Sequence, residues 1–459
     1  MMRLMKSSFT LFSALLLLIV LCAPRAATAQ NVTAFVNVSV VPMDAERVLN
    51  GQTVIVRDGI IAEMGPAAEV SVPAGAIEVD GTGRYLMPGL AEMHGHVPGA
   101  DNPQFTEDML FLYVSNGVTT VRNMAGDPYH LELRERILDG SLLGPTIYAA
   151  GPGFGGSWVS TPEQAEARVR EQHEAGYDLL KIFDMPEETY HHMASVAHEV
   201  GIDFAGHIPA SVGLSGALEA RQRSIDHLDR YVEFLVPDPS ALEGREIGFF
   251  GSGVLDLVDE SRIPLAVQAT IDAGTWNVPT LSLVEHHASL ESPEEMIQRP
   301  EMRYIPPGMR EAWRQAKHNF QNDENFWPNA QEFVELRRKL TRELHAAGAP
   351  IVLGSDAPQW FNVPGFSIHH ELRMMVDAGL TPYEVLTTGT RNAGVYFGLE
   401  DEFGTIAPGL RADLILLEAN PLNDIGNVQQ RAGVMVRGHW LPEAEIQTRL
   451  DEIAARMAE

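Results

Sequence analysis

The sequence predicts an α/β fold, a (β/α)8 TIM barrel carrying a small composite β-sandwich domain built from both ends of the chain. Three observations carry that prediction. Eight apolar, strand-like runs alternate with helical text between residues 85 and 399, the pattern of parallel β/α units. Strand-like segments with turn signals flank that region on both sides, and strands so short need a partner sheet to bury one face. The length of 459 residues suits a large barrel plus a modest second domain.

Residues 1–29 read as a secretory signal peptide. Arg3 and Lys6 precede the apolar run Leu11 to Ala23, and Ala27-Thr28-Ala29 places small residues before the expected cut ahead of Gln30. The run is too short for a stable membrane span. The expectation is an exported protein, periplasmic or secreted, with a retained anchor as the alternative. Cys22 is the only cysteine and falls inside this leader. The mature chain would therefore rely on core and metal, without disulfides.

Residues 30–84 and 400–441 supply the composite β domain. Thr33 to Pro42 alternates loosely, Gln52 to Val56 is β-branched, and Arg57-Asp58-Gly59 is a hairpin-type turn into Ile60 to Met64. Gly404-Thr405-Ile406, Ala412 to Leu417 and Gly433 to Gly438 return the same kind of text. Residues 85–399 form the barrel, whose strands are read as Leu86 to His94, Val118 to Asn123, Thr146 to Gly151, Tyr177 to Phe183, Ile202 to His207, Ser224 to His227, Trp276 to Leu283 and Pro350 to Asp356. Glu163 to Gly176 and Pro186 to Val200 read as helical connectors. Leu283 to His345, with Trp313, Phe320, Phe326 and Trp327, is too long for an ordinary connector and is expected to cross the mouth as a lid. Residues 442–459 read as a terminal surface helix.

Composition narrows the partners. Hydrophobic residues make up 45% and charged residues 21%, the balance of a globular protein. The formal net charge is −29, and loss of the leader, with Arg3, Lys6 and Arg25 but no acid, makes it more negative. So acidic a body repels nucleic acid and anionic lipid. A small-molecule substrate is expected, and the assembly is open between a monomer and a homo-oligomer.

The chemistry sits at the carboxyl ends of the strand runs, where a barrel of this kind places its active site. His94 and His96 are separated by Gly95, and residues i and i+2 of a strand share a face, so both imidazoles can reach one metal. The strand-five run ends in His207, strand six in His227, and strand eight in Asp356 within Gly354-Ser355-Asp356-Ala357. Strand four carries Lys181 in the apolar run Leu179 to Phe183. A buried lysine must be paired or modified; as a carbamate it could bridge two metals, and as an amine it could pair with Asp184. His207 and His227 could be rim histidines, and Asp356 a helix N-cap. The convergence of all six on strand ends favours a catalytic site.

With these motifs in view, the chain resembles the metal-dependent amidohydrolase superfamily. The matching features are Met87-Pro88-Gly89-Leu90 before His94-Gly95-His96, Thr119-Thr120-Val121-Arg122, Lys181, His207, His227, Gly354-Ser355-Asp356, the run from Thr381-Pro382 to Asn392, Gly404 to Gly409 and Ala412-Asp413-Leu414. Within that superfamily it is similar to the binuclear subtype with a carboxylated lysine, which includes imidazolonepropionase-like and Xaa-dipeptidase-like members. The resemblance implies two divalent metal ions, zinc being the expected metal. One would be bound by His94, His96 and Asp356, the other by His207 and His227, with the carbamate on Lys181 as the bridge. Asp356 would be the catalytic proton shuttle. Deaminases of the superfamily carry a glutamate soon after the strand-five histidine; here Ile208-Pro209-Ala210-Ser211 follows.

The expected reaction is hydrolysis of an amide or peptide-type C–N bond by metal-activated hydroxide, with dipeptides or N-acyl amino acids as substrates. The alternatives are the same site acting on a lactone, carbamate or phosphotriester, and a non-enzymatic metal-binding protein. Arg122, Ser157, Trp158, Tyr231, His286 and Trp360 are the expected substrate contacts, with Phe154 and Phe361 beside them. Their aromatic character suits an apolar group next to the scissile bond. Arg122 could grip a substrate carboxylate or form a barrel-internal ion pair.

Overall fold

The computed structural model describes residues 32–156 and 158–458; the leader and Ser157 lie outside the described residues. The chain opens with β1 (Val32–Val40), β2 (Leu49–Arg57), β3 (Ile60–Pro66), β4 (Ile77–Asp80) and β5 (Tyr85–Pro88). Seven short strands follow: β6 (Leu90–Gly95), β7 (Val118–Asn123), β8 (Thr146–Ala149), β9 (Leu179–Ile182), β10 (Asp203–Gly206), β11 (Ser224–Asp226) and β12 (Trp276–Val278). The last three are β13 (Leu414–Leu417), β14 (Arg431–Val436) and β15 (His439–Pro442).

The outer strands make one mixed sheet in the order β15-β14-β13-β5-β1-β2-β3, with β4 beside β1. The ladder is continuous, and the sheet curls on itself: Trp440 of β15 packs edge-on against Phe35 of β1 at 5.1 Å although three strands lie between them in the ladder. Its two chain ends meet at β13, which runs antiparallel to β5 in the register Ile415↔Met87. Phe35, Leu86, Leu414, Leu416 and Met435 are fully buried in its core, and each buried side chain of this kind is worth about 1.5–3 kcal/mol. The first predicted barrel strand is thus divided at Pro88-Gly89: Tyr85–Pro88 belongs to the outer sheet and only Leu90–Gly95 to the inner ring.

The inner strands are parallel and form two sheets, β6-β7-β8 and β12-β11-β10-β9. Bridges Ala150↔Leu179 and Phe154↔Ile182 join β8 to β9, Asn277↔Ile351 joins β12 to the eighth segment, and Gly95↔Ala357 returns that segment to β6. The arrangement is TIM-barrel-like. The eighth run is extended but irregular, touching its neighbours through single bonds such as Met93 N to Leu353 O at 2.8 Å and Asp356 N to His94 O at 3.0 Å. Gly354 permits that approach: a Cβ there would stand 2.9 Å from the backbone nitrogen of His94. The seventh run is shorter than expected, because the helix Leu281–Ala288 begins where the strand was to continue.

The long excursion is helical, with Pro307–Gln321 and Ala330–Ala346 as its main helices. The tail helix Glu443–Ala458 is more than a surface element, since it buries Ile446, Leu450, Ile453 and Met457 and Arg456 pairs with Asp108 at 2.6 Å. No described helix is long and apolar enough to cross a membrane.

Candidate metal centre

His94 and His96 leave the end of β6, where the β6–β7 register shifts between Glu92 and Gly95. Their rings stack at 5.1 Å. Gly95 clears the opposite face, since a Cβ would lie 2.8 Å from Val121 Cγ1. Asp356 comes from the eighth segment with φ of +63°, a sparsely populated conformation that packing must hold in place. Its Oδ1 lies 2.7 Å from His96 Nε2 and 3.4 Å from His94 Nε2. One ligand atom from each of the three residues falls within 4.8 Å of the others.

The other predicted residues surround this group. Lys181 Nζ is 3.4 Å from His94 Nε2 and 3.8 Å from Asp226 Oδ2; it does not pair with Asp184, which instead accepts from Ala210 N. The His227 ring lies 4.6 Å from that of His94 and 5.0 Å from that of His207. Nδ1 of His227 faces Thr280 Oγ1 at 2.9 Å, and Nδ1 of His207 faces Asp229 Oδ2 at 3.1 Å. Partners at Nδ1 leave Nε2 of both rings free, as metal-binding imidazoles require.

Electrostatics match the geometry. Burial, with help from Lys181, lowers His94 to a pKa of about 4. Burial and His94 likewise push His227 well down. Both are neutral near pH 7, the form that binds cations. Burial alone would raise Asp356, but His94 and His96 hold it well below the usual carboxylate range. Burial also lowers Lys181.

The donor set fits a metal. His96 Nε2 and Asp356 Oδ1 are buried and, although 2.7 Å apart, make no well-aligned hydrogen bond with each other or with any other described group, a costly state for polar atoms that coordination of a cation would relieve. Two imidazole nitrogens and one carboxylate oxygen form a set that zinc and similar divalent ions accept.

The substrate contacts fare differently. Arg122 is completely buried and donates to Ser224 Oγ at 2.7 Å, Tyr396 OH at 2.7 Å and Asp226 Oδ1 at 2.9 Å. It is the barrel-internal ion pair and cannot grip a ligand. Tyr231 is also buried, its hydroxyl bonded to Thr270 and Asn277. His286 sits beneath the excursion, 2.9 Å from Arg299 Nη1. Trp360 packs on His287 at 4.3 Å and Phe320 at 5.9 Å, and Phe361 and Phe154 are core residues. Trp158 alone of the described set is exposed, lining a cleft of about 480 Å³ that opens beside His96.

Several functional neighbours escaped the sequence reading. Asp226 lies 3.0 Å from His94 Nδ1; burial would raise it, but Arg122 and His94 hold it well below the usual range. Glu92 accepts from His94 N and Ser355 N, both at 2.9 Å, so one carboxylate ties together the two ligand-bearing segments. Phe250 covers His227 at 4.9 Å. The signal available was an acid inside an apolar run, next to or two residues from a histidine.

The Amidohydrolase family model matches residues 85–441. The chain belongs to that family. This amidohydrolase is an enzyme, a hydrolase of carbon–nitrogen bonds. Ochratoxinase of Aspergillus niger is 24% identical over 465 aligned residues, covering 86% of this chain and 82% of that protein. Imidazolonepropionase of Salmonella agona is 24% identical over 417 residues, covering 84% and 92%. Among solved structures, a Xaa-Pro dipeptidase with bound methionine in its active site superposes with a TM-score of 0.67 at 20% identity, covering 90% of this amidohydrolase and 100% of that chain.

Proposed function

We propose that this amidohydrolase cleaves the amide bond of a small N-acyl amino acid or dipeptide. In this reading the ring is a closed (β/α)8 barrel. His94, His96 and Asp356 hold one divalent ion, zinc being the best fit, and His207 and His227 hold a second. Lys181, as a carbamate formed from its amine and carbon dioxide with loss of a proton, would supply the anionic ligand that both ions need. The observation that carries the reading is the trio of ligand atoms within 4.8 Å, two of them buried side by side without a well-aligned hydrogen bond. The names of the relatives, among them a dipeptidase, support the substrate class. The leader supports export, to the periplasm or medium.

Bound divalent ions would lower the pKa of water and polarise the scissile carbonyl. The protein's own part is proton handling. Asp356 is held ionised by its two histidines, and Gln359 Nε2 donates to Oδ2, which leaves Oδ1 facing the reacting centre. Oδ1 takes a proton from the attacking water and returns it to the leaving nitrogen, so the C–N bond breaks and one water is consumed. Phe250 and Thr280 keep His227 in place from above and behind.

The test is elemental analysis of the purified chain followed by initial rates on N-acyl amino acids, dipeptides, a lactone and a phosphotriester. About two divalent ions per chain are expected, with amides turned over fastest. Asp356→Asn should lose about 10²–10⁴-fold in kcat while staying folded. A metal-free active chain, or a lactone or phosphotriester preferred over every amide, would overturn the reading.

A further inference from the structure

A cleft with a largely apolar wall opens beside His96. Phe105, Met124, Trp158, Phe183, Met309 and Pro358 are among the apolar residues of its wall, and its volume is about 480 Å³, within the range of small-molecule sites. Met309 reaches it from the excursion helix Pro307–Gln321. Trp158 is 61% exposed, and it is the one aromatic among the large apolar side chains exposed on the described residues. An exposed indole in a concave apolar wall is a contact surface awaiting a partner.

The aromatic wall runs without a break to the candidate centre. Trp158 meets Phe183 edge-on at 6.5 Å, and Phe183 stacks on His207 at 5.6 Å. A planar group seated in the cleft would therefore adjoin the reacting atoms.

Charge sets the second limit. The titratable groups facing the cleft are His96, Asp127 and His130, and no lysine or arginine lines it among the described residues. His130 has both ring nitrogens engaged: Nδ1 accepts from Asn123 Nδ2 at 2.7 Å and from Asp127 N at 3.1 Å, and Nε2 donates to Pro98 O at 3.1 Å. Asp127 is the only carboxylate there, with Oδ1 accepting from Tyr129 N at 2.8 Å. An anionic substrate group seated beside Asp127 would meet a like charge with no lysine or arginine beside it among the described lining residues; the ion proposed on His96 would be the one cation bordering the cleft.

We infer that this cleft receives an uncharged group of aromatic size from the substrate and turns away a carboxylate. The inference rests on the hydrolase reading and narrows its substrate class to amides bearing an uncharged aromatic substituent.

The test compares N-phenylacetylglycine, N-acetylglycine and N-succinylglycine on the acyl side, and N-acetylphenylalanine with N-acetylaspartate on the amine side. Initial rates are measured on the metal-loaded enzyme and binding by calorimetry on the Asp356→Asn chain. On one side of the bond, the aromatic compound should exceed the acidic one by about tenfold or more in kcat/KM and in affinity. Trp158→Ala should shrink that preference about tenfold, through KM, with metal content unchanged. Asp127→Asn keeps the acceptor for Tyr129 and should raise use of the acidic compound relative to the acetyl one. If no amide turns over but aromatic compounds still bind in a Trp158-dependent way, the hydrolase reading falls and the cleft assignment stands. Equal handling of aromatic and acidic compounds, absence of binding, or indifference to Trp158→Ala overturns the inference.

Discussion

Lys181 is a cation in a place where a cation is costly. It is 1% exposed with its amine aimed at His94 and Asp226, and the acid next door in sequence, Asp184, is turned elsewhere. The proposed carbamate explains its position, and predicts that Lys181→Ala loses metal and at least about 10²-fold in activity, with partial recovery on adding a short carboxylate such as propionate. Elemental analysis and rates with and without propionate check this; full metal content without rescue removes the bridging role. At this scale the histidines, Lys181 and Asp356 were legible because each is out of character for an apolar strand run. Arg122 was open between a substrate grip and the ion pair it forms, and Tyr231 was placed at the mouth, for a related reason. Alternation tells which residues share a face of a strand, but depth along the barrel axis, which separates the mouth from the interior, leaves no trace in spacing.

Elements show where local pattern and tertiary context part company. Leu86 to His94 reads as one apolar run, yet Pro88-Gly89 hands its two halves to different sheets. The eighth run reads as a strand, but a backbone that must present Asp356 at positive φ cannot stay in a regular ladder. The helix Leu281–Ala288 was hidden because its N-terminal cap comes from a distant element: Glu371, in the helix Phe366–Asp377, accepts from Leu281 N at 2.8 Å and Ser282 N at 2.6 Å. Burial pushes Glu371 up to about 7 from an ordinary 4.5. A raised carboxylate binds its proton more tightly when folded, so its contribution is complete below about pH 4.5 and is lost as pH rises through about 7. Glu371→Gln should therefore flatten the stability profile across that window by up to about 3 kcal/mol relative to the parent chain. Urea unfolding at pH 4.5, 6 and 7.5 measures it, and parallel profiles would refute it.

For the whole molecule, the sequence carried the alternation of strands and helices, and the similarity of the two chain ends suggested that they meet. The pairing itself joins residues far apart in sequence, with Arg84 and Glu418, 334 residues apart, hydrogen-bonded across the seam. No local pattern encodes such a register; it is set by matching the apolar faces of β5 and β13. A chain ending at Ala412 would leave β5 without its antiparallel neighbour directly before the strand that carries His94 and His96. Such a truncation should give an unfolded or aggregated product by circular dichroism and size exclusion, and a soluble, metal-loaded truncation would contradict this. The seam also sets a timetable. While the polypeptide is being made, β1 to β5 can pair with one another, but the free edge of β5 waits for β13 until Leu417 has emerged, so the seam closes late, like a clasp.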